Sequence, residues 1–364
     1  MKVGVVAGVA FAALLSASAH AQSTRSLAED AAAFGARDAV SAARLSPDGS
    51  SVLYVTPGPG PKTFAVISNL QTGKSHVVTS ADGQPERLQW CNYSAPDRLV
   101  CSISGIVDQA GPLVSFQRLI GMNADGSDPK LLGQPSSHYD ASFRQYDGWV
   151  LDWRGARDGV VLMERDYIPE QGRKAIQTRL ARSKSGLAVD EVDTRTARPT
   201  TIEPPRDSAS GYMTDGRGNV RIMTVWETVH EGSPTTRLKY FYRTRDSREW
   251  KTLADFAHYE DQIKPLAIDA DIDAVYALKK KNGRQALYTI KLDGTLAEKL
   301  IGEDPRVDID GAIRIGDGQR VIGYTYADET RKAVYFRSGV QGAGELPFEG
   351  PTEPALDRFR RRDD

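Results

Sequence analysis

Cysteine and histidine are scarce in this chain: two cysteines, Cys91 and Cys101, and five histidines in 364 residues. No C-x-x-C and no neighbouring His pair accompany them, which argues against a zinc cluster or a dithiol redox centre. Neither sign of charge is in excess. Lys and Arg number 47 against 48 Asp and Glu, for a net charge of −1. That balance leaves no basic footprint for nucleic acid or an anionic membrane. The one basic cluster is Arg358–Arg362, at the far end. Beyond the first 21 residues no run is apolar enough to span a bilayer. The helical apolar period is also missing from the body of the chain, where alternation and turn chemistry dominate.

What is present begins with a targeting pattern. Lys2 supplies a positive n-region, Val3–Leu15 an apolar h-region, and Ala19-His20-Ala21 an A-x-A cleavage site. Residues 1–21 therefore read as a signal peptide, and the mature chain is expected to start at Gln22 in a secreted or periplasmic compartment. An oxidising compartment permits a disulfide. Cys91 and Cys101 sit in LQWCNYSAPDRLVCSIS, which reads as two strands around a Ser94-Ala95-Pro96-Asp97 turn. That pairing makes Cys91–Cys101 the expected structural bridge. Residues 22–38 form a lead-in: Ser26-Leu27-Ala28-Glu29 has capping-box spacing, Ala28–Phe34 is rich in helix formers, and Gly35 is a natural stop. This helix is expected to lie on the outside of the main body.

The main body, residues 39–336, is built on one pattern. Ala43–Val55, ARLSPDGSSVLYV, is strand, tight turn, strand. Pro47 pre-sets φ, Asp48 bonds its own backbone, and Gly49 takes positive φ without strain. Degraded copies follow at Leu88–Ile103, Val150–Glu164, Gly211–Val225, Pro265–Lys280 and Ala312–Tyr326. Each of the first five is followed by a second hairpin: Ala65–Thr79, Leu119–Leu132, Ala188–Ile202, Leu238–Leu253 and Ala286–Ile301. Four short strands per roughly 45–60 residues is the mark of β-propeller blades. A sandwich would explain many strands but not this repeating group of four. The expected fold is all-β, a propeller of four-stranded antiparallel blades, five complete and a partial sixth. From residue 337 to 364 alternation stops and Gly, Pro and charge take over. Two readings of that tail stand: an irregular natural terminus, or an out-of-frame continuation of the sixth blade. A ring left open in this way is expected to expose blade edges and fold poorly or associate.

FGARDAVSAARLSPDGSSVLYV and the QTGK turn resemble the start of the propeller in the prolyl oligopeptidase family of exported dipeptidyl- and acylaminoacyl-peptidase-like serine peptidases. IGMNADGSDPKLL, LYTIKLDGTLAEKL and GDGQRVIGYTYADETRKAVYF are similar in style. The resemblance covers roughly Ala31 to Phe336. It implies a non-catalytic propeller that restricts the entry of oligopeptides to an α/β-hydrolase domain. That domain needs a G-x-S-x-G elbow, then Asp, then His. No G-x-S-x-G occurs here, and His138, His230 and His258 read as scattered structural residues. The chain is therefore expected to be inactive by itself, without cofactor, its peptide substrate being held with a hydrolase domain that it lacks. The alternative is a stand-alone periplasmic propeller resembling TolB that binds protein partners.

Other candidates weigh less. Asp269, Asp271 and Asp273 have D-x-D-x-D spacing, but Ala274 and Lys280 occupy the places where a calcium loop wants Gly and Glu. They read as a polar turn. Glu303, Asp304 and Asp308–Asp310 read as acidic inter-blade loops. Trp90, Trp149, Trp153, Trp226 and Trp250 could line a peptide face, although strand settings favour packing between blades. Glu164, Arg165 and Asp166 lead into a longer loop before Gln177, a place where a propeller peptidase could hold substrate.

Overall fold

A computed structural model describes residues 26–109, 111–153, 155, 157–171, 182–228, 234–256, 263–316 and 320–336. The expected signal peptide, the tail from 337, Gln177, His230 and His258 lie outside the described residues. The chain divides into two compact units, residues 1–39 and 40–364. The first contains helix α1 (Leu27–Phe34), whose capping box is complete. Ser26 Oγ accepts the Glu29 N–H at 3.2 Å, and Glu29 Oε2 accepts the Ser26 N–H at 2.7 Å. Gly35 stays right-handed, with φ −84°. It closes the helix by donating to the Ala31 carbonyl, where a Cβ would stand 2.9 Å from that oxygen. No helix among the described residues is long and apolar enough to cross a membrane.

The second unit is a set of antiparallel meanders. Blade 1 holds β1 (Ser41–Leu45), β2 (Ser51–Pro57), β3 (Thr63–Asn69) and β4 (Ser75–Ala81). Blade 2 holds β5 (Arg87–Ala95), β6 (Arg98–Asp108), β7 (Leu113–Asn123) and β8 (Lys130–Leu131). Blade 3 holds β9 (Trp149–Asp152), β10 (Val160–Tyr167), β11 (Gly186–Asp193) and β12 (Arg198–Arg206). Blade 4 holds β13 (Ala209–Thr214), β14 (Val220–Thr228), β15 (Pro234–Tyr242) and β16 (Lys251–Phe256). Blade 5 holds β17 (Lys264–Asp269), β18 (Ala274–Lys281), β19 (Arg284–Lys291) and β20 (Glu298–Gly302). Blade 6 holds β21 (Ile309–Ile315), β22 (Arg320–Ala327) and β23 (Arg331–Tyr335).

The blade count is six, a correction to the reading of five and a part. A blade is defined by how it packs, and β21–β23 pack on blade 5 through a core of their own around Ile309, Val321, Tyr324 and Val334. Among the described residues this sheet carries three strands, and the other five carry four.

Local chemistry sets each hairpin. In the first, Asp48 Oδ1 accepts from the Ser50 N–H at 3.0 Å and from Ser46 Oγ at 2.6 Å. Those donors pull the Asp48 carboxyl down to about 2. Gly49 takes φ +71° in open space, so the turn requires glycine for its backbone and not for room. Pro199, Pro204 and Pro205 fall on β12, the outermost strand of blade 3, where a missing N–H breaks no ladder bond with a further strand.

Five hydrophobic cores join six blades in series. Leu53, Val55 and Ile67 meet Leu88, Tyr93 and Leu99 between blades 1 and 2. Val100, Leu119 and Leu132 meet Val161, Met163 and Val192 between blades 2 and 3. Leu162 and Val189 meet Tyr212 and Met223 at the next junction. Tyr240 and Leu238 meet Ile268 and Val275 between blades 4 and 5. Alternation along each strand makes this possible: Leu162 faces blade 4 while Val161 and Met163 face blade 2. Among the described residues no such core joins blade 6 to blade 1.

Candidate functional site

Four antiparallel strands per blade start every first strand at the same end of the propeller. That end also carries the connections between blades and the loops between second and third strands. The opposite end carries the tight turns. Most connections at the loop end are short, as at 82–86 and 207–208, but residues 132–148 are long. Long loops on a rigid frame are where binding residues concentrate.

A cleft of about 760 Å³ opens at this end, between β5–β7 and the 132–148 connection. Its apolar walls are Trp90, Phe116, Tyr146 and Trp149, and Gln89 and Ser104 add polar edges. Trp149 is 53% exposed and Tyr146 45% exposed. Ile106, Leu113 and Phe143 are also exposed large apolar residues of these segments. Trp90 is held edge-on to Trp153 at 6.0 Å. The Arg118 guanidinium lies 5.2 Å over the Phe116 ring.

A buried carboxylate anchors the wall. Asp147 Oδ2 accepts the Leu119 N–H at 3.0 Å, and the Asp147 N–H donates to Gln117 Oε1 at 3.2 Å. Arg144 Nε approaches Asp147 Oδ1 at 3.0 Å and Arg118 Nη1 at 3.9 Å. Arg118 also donates to the carbonyls of Gln145 and Arg144. Burial raises the Asp147 carboxyl and the Arg144 charge opposes that rise. The result is a braced segment that presents Tyr146, whose hydroxyl lies 3.2 Å from Ser115 Oγ, and then Trp149. Gly148, with φ +107°, lets the chain pass β10: a Cβ there would fall 1.7 Å from the Glu164 carbonyl oxygen.

The residues singled out in sequence take different places. Cys91 and Cys101 face each other in the β5–β6 register and their sulfurs are bonded, in the core between blades 1 and 2 and away from the cleft. Of the tryptophans, Trp90 and Trp149 line the cleft, and Trp90 also packs, like Trp153, Trp226 and Trp250, against an inter-blade core. Glu164 is buried and accepts the Tyr212 N–H of blade 4 at 2.5 Å; burial pushes its carboxyl up to about 7. Arg165 is buried against Asp190 at 2.8 Å, and the Tyr167 hydroxyl donates to the same Asp190 oxygen at 2.7 Å. Glu164 therefore ties blade 3 to blade 4 and Arg165 braces blade 3 from within, and only Asp166 of the three is exposed. His138 is exposed.

The acidic positions are each engaged. Asp269 Oδ1 accepts the Asp271 N–H at 2.9 Å, Asp271 pairs with Arg217, and Asp273 pairs with Arg221 at 2.8 Å. Glu303 pairs with Lys281, Asp304 accepts the Arg306 N–H, Asp308 accepts the Gln285 N–H, and Asp310 pairs with Arg331. Among the described residues no group of three His, Cys, Asp or Glu side chains could hold a metal ion.

No family model and no curated protein matches this sequence. Solved structures do. A prolyl endopeptidase from a study of inter-domain dynamics in two such enzymes matches with a TM-score of 0.52 at 12% identity, over 84% of this chain and 43% of that chain. Prolyl oligopeptidase B from Galerina marginata, bound to a 35-residue hydrolysis and macrocyclization substrate, matches with a TM-score of 0.50 at 12% identity, over 84% of this chain and 43% of that one. Acylaminoacyl peptidase from Pyrococcus horikoshii matches with a TM-score of 0.47 at 10% identity, over 88% of this chain and 46% of that chain. This chain spans less than half the length of each. At such identities the likeness establishes architecture: the chain is a β-propeller of the kind found in prolyl oligopeptidases.

Proposed function

We propose that this chain is the non-catalytic propeller portion of an exported serine peptidase acting on oligopeptides, and that its loop-end cleft meets the peptide before hydrolysis. The carrying observation is the aromatic cleft, with Trp149 and Tyr146 held outward by the buried Asp147 brace. Aromatic side chains with one wet edge suit a peptide chain, offering apolar area at low entropy cost. Likeness in fold to the prolyl endopeptidases over 84% of the chain supports the same reading. The nucleophile must come from a hydrolase portion, because no G-x-S-x-G lies in these residues.

Antibodies against residues 26–336 and a fluorophosphonate probe of activated serines test the reading in the source cells. A labelled product larger than the 39.8 kDa of this chain is expected. An unlabelled product of that mass, purified with bound envelope proteins, would replace it with a stand-alone binding propeller.

A further inference from the structure

At the turn end, opposite the cleft, a pocket of about 360 Å³ lies in blade 4 beside β12. Four arginines line it: Arg221 from β14, Arg243 just after β15, and Arg245 and Arg248 from the turn into β16. Glu203 and Asp246 are the carboxylates in its wall.

Internal ion pairs use only part of this donor set. Arg221 is 2% exposed; its Nε donates to the Arg243 carbonyl at 2.9 Å and its Nη2 to Asp273 at 2.8 Å. Its Nη1 has no hydrogen-bond partner among the described residues. Arg243 donates Nη1 to Glu203 at 2.6 Å and stacks 3.8 Å from the Trp250 ring, but its buried Nε is also unmatched. Arg245 reaches the Ala270 carbonyl, and its nearest carboxylate, Asp273, is 3.9 Å away. Arg248 is exposed and forms no ion pair among the described residues. The unmatched buried groups of these pocket residues are all N–H donors. Buried donors demand acceptors, and guanidinium forks fit the two oxygens of a carboxylate or phosphoryl group.

We propose that this four-arginine pocket binds a small oxyanion, a phosphate or carboxylate group, and thereby ties β12 of blade 3 and the blade 5 turn at Asp273 to blade 4. The site lies at the other end of the propeller from the aromatic cleft and does not depend on the peptidase reading.

Thermal melts of the full chain in inorganic phosphate, in acetate, and in chloride at matched pH and ionic strength test it. At tenfold excess over the dissociation constant, the bound anion is expected to raise Tm by roughly 3 °C. A phosphate shift identifies a phosphoryl ligand and an acetate shift a carboxylate ligand. The double variant R245A/R248A removes two exposed side chains, so its Tm in chloride stays within about 1 °C of the parent, and the anion shift disappears. Broadening of the inorganic phosphate ³¹P resonance, or of the acetate methyl resonance, gives a readout that needs no unfolding. Anion shifts no larger than chloride, or undiminished in the double variant, overturn the proposal.

Discussion

Glu164 Oε1 takes the Tyr212 backbone N–H at 2.5 Å, so a carboxyl group of blade 3 caps the first strand of blade 4 from within the junction core. Among the described residues it forms no ion pair; burial is the cause that lifts this carboxyl to about 7, and the Tyr212 N–H pulls the other way. The folded value lies above the unfolded one of about 4.3. The folded state therefore holds the proton more tightly, and its stability is lost as pH rises from about 4 through 7.

From this relationship follows a pH effect. Glu164→Gln keeps an acceptor for Tyr212 and removes the titration. The variant should be more stable than the parent at pH 8, by up to about 4 kcal/mol as a ceiling, and match it near pH 4. Parallel melts across that range check it; a gap that does not grow with pH refutes the assignment.

Arg98 offers a second test. It is fully buried, donating to Asn123 Oδ1 at 2.8 Å and to the Thr194 carbonyl at 2.5 Å, and so bolts blade 2 to blade 3. Arg98→Ala leaves these acceptors bare and a cavity behind. A loss of about 3–5 kcal/mol is expected, read from urea denaturation. Arg98→Met should recover part of that loss through packing alone.

The disulfide is shielded. Cys91 is 1% and Cys101 0% exposed. A mild reductant should leave both unreactive to alkylation in the folded protein and expose both in urea. The C91A/C101A double variant should lose about 2–3 kcal/mol, measured by denaturant midpoint.

Trp149→Ala bears on the cleft. Because Trp149 is half exposed, its removal should leave Tm within about 1 °C. Affinity for oligopeptides should drop about tenfold, the cost of losing an aromatic anchor. Titration followed by calorimetry separates the two; unchanged peptide affinity would remove the cleft from the functional reading.

The hairpins were legible because each is decided within a dozen residues: Asp48 and Gly49 make their turn locally, and Cys91 and Cys101 face one another across a single pair of strands. The site was not, because packing assembles it from afar. Arg98 meets Thr194, and Glu164 meets Tyr212, across blade junctions that no local pattern announces. Nothing local in the sequence marks Arg221 for the burial that the fold gives it. One signal was available for the cleft: the 132–148 stretch is long and lacks alternation in a chain whose neighbouring connections are mostly short.

Among the described residues, five cores in series make the blades a row of neighbours. Blades 2 to 5 are clamped on both faces, whereas blades 1 and 6 are each clamped on one among the described residues. In such a row unfolding is cheapest from the outside inward, as in other linear arrays. Amide hydrogens of β2 and β22 should therefore exchange with solvent ahead of those in β10 and β18, grading protection by distance from either flank and not by depth below the surface.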